Sequence, residues 1–129
     1  MIDHIGVSVS DFDASKVFYR KALQPIGYEL LLEFSAELTG TRAYAGFGVP
    51  PKPDFWIGSG QPNVPPIHVA FQVASRVQVD AFYRAALAAG GRDNGAPGPR
   101  PEYHANYYGA FVLDPDGHNI EAVCHEAPA

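Results

Sequence analysis

Three side chains in this sequence have the types and placement to hold a divalent metal ion: His4, His68 and Glu121. Glu121 lies among Ile120, Ala122 and Val123, an apolar run in which a lone carboxylate is out of place. That run follows a tight turn, Asp114-Pro-Asp-Gly117, and reads as a short strand. His4 and His68 each head a strand-like run of their own. Two imidazoles and one carboxylate bind a metal while leaving positions open for water or substrate. Such an ion can take two neighbouring substrate oxygens and stabilise an enolate or oxyanion as a Lewis acid. The position in the first half of the chain that corresponds to Glu121 falls at Trp56 or one residue to either side, and Phe55, Trp56 and Ile57 offer no carboxylate. Asp54 is the nearby carboxylate, a minor candidate for a fourth ligand.

Further groups suited to binding or proton transfer cluster between Pro97 and Tyr108. His104, set between Tyr103 and Tyr107, can act as a general acid or base because histidine titrates near neutral pH. Tyr107 is a second catalytic candidate, and Arg100 can pair with a substrate carboxylate or phosphate. Arg42 and Tyr44 share one strand face and can reach the same cavity. Trp56, Tyr103 and Tyr107 offer faces on which an aromatic ligand can stack. An exposed loop with ordinary surface aromatics is the competing reading of these groups. His118, beside Gly117, is expected to face solvent. His125 shares strand parity with Glu121 but lies about 13 Å further along, too far to ligate the same ion. Cys124, of opposite parity, should be a small packed residue.

The elements that must position these groups form a repeat. An offset of 64 residues superposes His4 on His68, Phe18-Tyr19-Arg20 on Phe82-Tyr83-Arg84, Ala22-Leu23 on Ala86-Leu87, and Gly27 on Gly91. Each copy opens with period-two alternation, Ile5/Val7/Val9 against His4/Gly6/Ser8, then Val69/Phe71/Val73 against His68/Ala70/Gln72. This is the pattern of a half-buried strand, and it points both histidines away from the core. A helix follows in each copy, capped by Asp11 or Asp13 in the first and by Ser75 in the second. Phe18, Ala22 and Leu23 give the first an apolar stripe, echoed by Val79, Phe82, Ala86 and Leu87. Gly27 and the pair Gly90-Gly91 suit left-handed helix ends. Three strands complete each copy: about 29–34, 42–47 and 54–57, then a Pro/Gly-rich approach at 95–101 followed by 107–113 and 118–124. The predicted order is βαβββ–βαβββ, with modules at about 1–58 and 67–126 joined by a linker at 59–66. Runs of three consecutive strands favour antiparallel pairing, hence an α+β class.

Composition sets the outer limits. A chain of 129 residues can bury one core without staples. Its 9 Lys and Arg against 14 Asp and Glu, with no basic cluster beyond Arg20-Lys21, argue against nucleic acid or an anionic membrane as partner. The single cysteine excludes an internal disulfide and fits a reducing cytoplasm. No apolar run reaches the roughly 18 residues of a transmembrane helix.

The opening Ile2-Asp-His-Ile-Gly-Val-Ser-Val-Ser-Asp11, the pair Phe18-Tyr19 and the closing Asp114-Pro-Asp-Gly-His-Asn-Ile-Glu-Ala122 resemble the vicinal oxygen chelate superfamily. Glyoxalase I, the extradiol dioxygenases, and the fosfomycin- and bleomycin-resistance proteins belong to it. The resemblance covers nearly the whole chain. It implies two modules forming a curved mixed sheet around a metal and substrate cavity, with His4, His68 and Glu121 at the ligand positions. It also implies a divalent ion (Zn, Ni, Fe, Mn or Co), a small-molecule substrate and a homodimer. The fourth ligand position, typically Glu in glyoxalase I, falls at Trp56, so the set is closer to the three ligands of the dioxygenases. Lyase, isomerase or dioxygenase chemistry follows. The alternatives are a metal-free, drug-sequestering protein of the bleomycin-resistance type and a regulatory domain that senses a metabolite.

Overall fold

A computed structural model describes residues 1–128. Period-two alternation becomes strand β1 (Ile5–Val9), followed by helix α1 (Phe12–Leu23) and a 3₁₀ turn at Gln24–Ile26. Strand β2 (Glu29–Phe34), a four-residue helix α2 (Ala36–Thr39), and strands β3 (Tyr44–Gly48) and β4 (Phe55–Ser59) complete the first half. The second half runs β5 (His68–Gln72), α3 (Arg76–Ala88), β6 (Arg92–Pro99), β7 (Tyr108–Leu113) and β8 (Asn119–Cys124). The expected βαβββ order therefore appears twice, with the small helix α2 added. Ser35 caps α2 by accepting from Leu38 N–H, and Gly40 closes it in the left-handed region.

Local chemistry explains the boundaries. Asp11 caps α1 by accepting from Ala14 N–H, and Ser75 caps α3 by accepting from Gln78 N–H. Gly27 and Gly90 adopt positive φ beyond the helices, whereas Gly91 serves a different need. A Cβ on Gly91 would lie 2.5 Å from Val112 Cγ1 and 2.9 Å from the Ala86 carbonyl, so glycine there permits close helix–sheet packing.

The strands form two hydrogen-bonded sheets of four, ordered β1-β4-β3-β2 and β5-β8-β7-β6, rather than one continuous sheet. Each is mixed: β1 and β5 run parallel to β4 and β8, and the other pairs are antiparallel. The outer edge of β1 explains why the sheets do not join there. Ser8 N–H donates to Asn63 Oδ1 at 2.8 Å, and the Ser8 carbonyl lies 2.9 Å from His118 Nε2, so these groups are already satisfied. The helix-side faces of both sheets merge in one core that includes Val7, Phe18, Phe47 and Phe55 from the first half and Phe71, Phe82, Val112 and Ile120 from the second. Phe71 meets Phe55 edge-on at 5.3 Å and Tyr28 at 5.2 Å, and α1 packs on α3. The opposite face of β5 is left open, with His68, Ala70 and Gln72 all exposed.

Candidate metal and substrate site

The parallel register places Ala70 of β5 beside Glu121 of β8, and the antiparallel register places Phe111 of β7 on its other side. Glu121 is 1% exposed. Its Oε1 lies 2.9 Å from His68 Nε2, and its Oε2 accepts from the Tyr107 hydroxyl. The carboxylate is thus held on both oxygens, one by a half-buried phenol and one by an imidazole whose side chain is 52% exposed. Burial, and then the hydrogen bond and negative charge of Glu121, raise the Tyr107 pKa well above the ordinary tyrosine range, which keeps the phenol a donor. Gly109 opens this corner, since a Cβ there would sit 3.1 Å from the Tyr107 ring and 3.2 Å from Glu121 Oε2.

His4 does not join this pair. Its Nδ1 is 2.7 Å from Asp3 Oδ2, and its side chain is 60% exposed. Among the described residues, no three His, Cys, Asp or Glu side chains are grouped to hold one ion. The reason lies in how the two halves meet. His118 accepts from Ile67 N–H on Nδ1 at 3.0 Å and reaches the Ser8 carbonyl with Nε2. The head of β5 therefore sits beside the far half of β1, four residues and about 13 Å along that strand from His4. His4 and His68 both line one open cavity of about 360 Å³, yet the chain holds them apart.

The expectation that His118 faces solvent is wrong: it is fully buried. With Asp114 and Asp116 it forms a clasp between the halves. Asp114 Oδ1 accepts from Asp116 N–H and His118 N–H at 2.9 and 2.8 Å, while its Oδ2 accepts from the Tyr19 hydroxyl at 2.5 Å. Asp116 accepts from both the backbone N–H and the hydroxyl of Ser10. The turn read from sequence as a feeder to the Glu121 strand is also the polar seam of the molecule. An ionisable side chain at every second position, Asp114, Asp116 and His118, is the signal that could have found it.

Trp56 pairs with Gly6 as Glu121 pairs with Ala70, so register confirms its equivalence to Glu121. Its indole lies across Gly46: a Cβ there would be 2.8 Å from each of three consecutive ring carbons, which requires a face-on approach. Phe34 is parallel to the indole within 9° at 5.9 Å. Trp56, Tyr44, Gly6, His4 and Lys52 line a second open cavity of about 550 Å³. Arg42 bonds the Ser59 carbonyl and Ser8 Oγ and lies 5.5 Å from the Tyr44 ring. Asp54 Oδ1 is buried without a hydrogen-bond partner, and the residue lines the same cavity as His4 and His68.

The 100–107 loop is closed by Arg100 N–H to Tyr107 O at 2.8 Å and Tyr107 N–H to His104 O at 3.2 Å. Arg100 turns inward on this loop, donating to the carbonyls of Ala96 and Gly98, with its guanidinium 5.5 Å from the Phe111 ring. Tyr103 is exposed and meets Tyr107 edge-on at 4.9 Å. The hydrogen bond of His104 goes to His125, not to Glu121. Cys124 is buried, as expected.

Comparison with known proteins adds independent findings. The family model described as Glyoxalase/Bleomycin resistance protein/Dioxygenase superfamily matches residues 1–122. A glyoxalase/bleomycin resistance protein from Albidiferax ferrireducens T118 is 27% identical, with 96% of this chain and 98% of that one covered and a TM-score of 0.77. A mutant of the fosfomycin resistance protein FosX from Listeria monocytogenes, complexed with Mn(II) and 1S,2S-dihydroxypropylphosphonic acid, is 18% identical, with coverage of 100% and 90% and a TM-score of 0.67. A glyoxalase I mutant from Zea mays is 24% identical over 95% of this chain and 46% of that chain, with a TM-score of 0.70. The last two likenesses establish the shared fold. No curated protein matches the chain.

Proposed function

Because the chain belongs to the glyoxalase/bleomycin resistance protein/dioxygenase superfamily, we propose that it is a small metal-dependent enzyme acting on a substrate with two neighbouring oxygens. Lyase, isomerase and dioxygenase chemistry all fit that description. The observation that carries this reading is the His68–Glu121 pair: a buried carboxylate oxygen 2.9 Å from an exposed imidazole nitrogen. Ligand atoms bound about 2.1 Å from one ion in adjacent positions lie about 3 Å apart, so the donor set fits a divalent metal. When bound, the ion supplies Lewis-acid polarisation of substrate oxygens. The chain's own groups do the rest. Tyr107 fixes the orientation of Glu121 and sharpens its Oε1 as a ligand. Glu121 and the Tyr107 hydroxyl are the groups beside His68 that can hold or pass a substrate proton.

The third ligand is His4, supplied by a second copy of the chain. Support comes from the open faces: His4 and His68 are both exposed, they point away from the shared core, and the clasp keeps them apart within one chain. Pairing two chains covers both faces and completes two equivalent sites. The face-on Trp56, with Tyr44 beside it, then forms an aromatic wall for the substrate, and Arg42 and Lys52 stand near it as cations. That same wall favours a second reading, a metal-free protein that sequesters an aromatic ligand. Elemental analysis of protein purified without chelator, in a His125→Ala background that breaks the His104–His125 contact, separates the two. Near-stoichiometric metal that vanishes in Glu121→Ala supports the enzyme. Unchanged metal content in His68→Ala and Glu121→Ala, or none even after incubation with each ion, refutes it. Among the described residues, no helix is long and apolar enough to cross a membrane.

A further inference from the structure

Away from the His68–Glu121 pair, two more histidines face each other. His104 Nε2 lies 2.7 Å from His125 Nδ1, their rings are 4.8 Å apart, and both residues are exposed. The two come from different elements, the 100–107 loop and the residue just after β8. Both are braced by the same ring: Tyr107 meets His104 edge-on at 5.2 Å and His125 at 5.4 Å. Tyr107 is itself pinned, because its hydroxyl is bound to the buried Glu121 and its N–H and carbonyl close the loop. The end of β8 is fixed by the pairing of Cys124 with Tyr108, and Glu126 N–H donates to Cys124 Sγ at 3.4 Å. The imidazoles are therefore held in register before any ligand arrives.

We propose that His104 and His125 form a second metal site, distinct from the first, which takes an imidazole-preferring divalent ion such as Ni²⁺, Cu²⁺ or Zn²⁺. In the apo form one nitrogen must donate a proton and the other must accept it across the 2.7 Å contact. An ion replaces that shared proton with two N–metal bonds of about 2.0–2.1 Å, a bite that needs only a slight opening of the pair. On binding, the donor ring shifts its proton to its other nitrogen, so two neutral imidazoles coordinate, and water fills the remaining positions. Carboxylate-preferring ions such as Mg²⁺ and Ca²⁺ have no oxygen donor in this pair and should be rejected. The site differs from the proposed catalytic centre in lacking a carboxylate and in lying within one chain.

The test uses the full chain carrying His4→Ala and Glu121→Ala, which removes the proposed catalytic centre and makes failure of either reading separately visible. Titration with Ni²⁺ alone, followed by calorimetry, should show one equivalent per chain. Adding His125→Ala or His104→Ala should weaken binding by roughly a hundredfold, the loss of chelation by a preorganised pair. Both residues are exposed, and a circular dichroism melt checks that these variants still fold. In an imidazole nitrogen–proton NMR spectrum, substoichiometric Ni²⁺ should broaden the His104 and His125 resonances before those of His68 and His118. Equal affinity in the His125→Ala variant, or first broadening at His68, would overturn the proposal.

Discussion

Complementation between two inactive variants tests whether the metal centre spans two chains. His4→Ala removes the ligand on one open face, and Glu121→Ala removes the ligand on the other, with His125→Ala in both backgrounds to silence the second pair. Each variant alone lacks one ligand at every site, whatever the assembly, and should purify nearly metal-free. The two readings separate when the variants are co-expressed. If the clasp that sets the head of β5 beside Ser8 keeps His4 from His68 in one chain, then a mixed dimer regains one complete site: His4 from the Glu121→Ala chain with His68 and Glu121 from the other. Random pairing makes half the dimers mixed, with one good site of two in each, or about a quarter of an equivalent per chain. With different affinity tags the mixed dimer can be isolated, and elemental analysis should find about one ion per dimer. A site built within one chain cannot be rescued this way, since no chain carries all three ligands. A mixed dimer as empty as its parents, or a His125→Ala protein that sediments as a monomer yet holds metal, refutes the shared centre.

Three other outcomes follow from contacts already described. Tyr107→Phe strips Glu121 Oε2 of its donor in a buried position, and should cost about 1–3 kcal/mol in stability by denaturant titration and about 10–100-fold in metal affinity. Tyr19→Phe leaves Asp114 Oδ2 unpaired in the seam and should destabilise by a similar 1–3 kcal/mol. Burial, then the charge of Asp114, raise the Tyr19 pKa. The unfolded chain therefore releases that proton first, and stability should fall as pH rises above about 10. In pH-dependent melts the Tyr19→Phe variant should show a shallower alkaline decline, and an identical slope would contradict this account. Gly46→Ala puts a methyl group against the face of Trp56, costing about 1–3 kcal/mol and shifting tryptophan fluorescence; adding Trp56→Ala should relieve most of that cost.

Much of the molecule was legible in the chain. The offset of 64 residues, the alternation beginning at His4 and His68, and the caps at Asp11 and Ser75 are local properties, and each describes an element that the structure contains. The odd carboxylate at Glu121 was legible too, because a charge in an apolar strand demands a partner. Less legible were features whose cause lies far away in sequence. Strand β6, rich in Gly and Pro, exists because β7 pairs with it across two register shifts. The short helix α2 rests on a cap and a glycine that read equally well as a turn.

The sequence by itself determined the repeated βαβββ order and the parity that turns both histidines off the core; it brought the counterpart of Glu121 to within one residue of Trp56, which strand register then fixed. These follow from periodicity and count, which need no knowledge of how the halves dock. Only the tertiary structure decided that His118 is buried in a seam, that Tyr107 binds Glu121 while His104 turns to His125, and that His4 stays apart from the His68–Glu121 pair. Each of those depends on which unsatisfied polar groups meet when the two sheets pack, and such meetings link positions up to 110 residues apart.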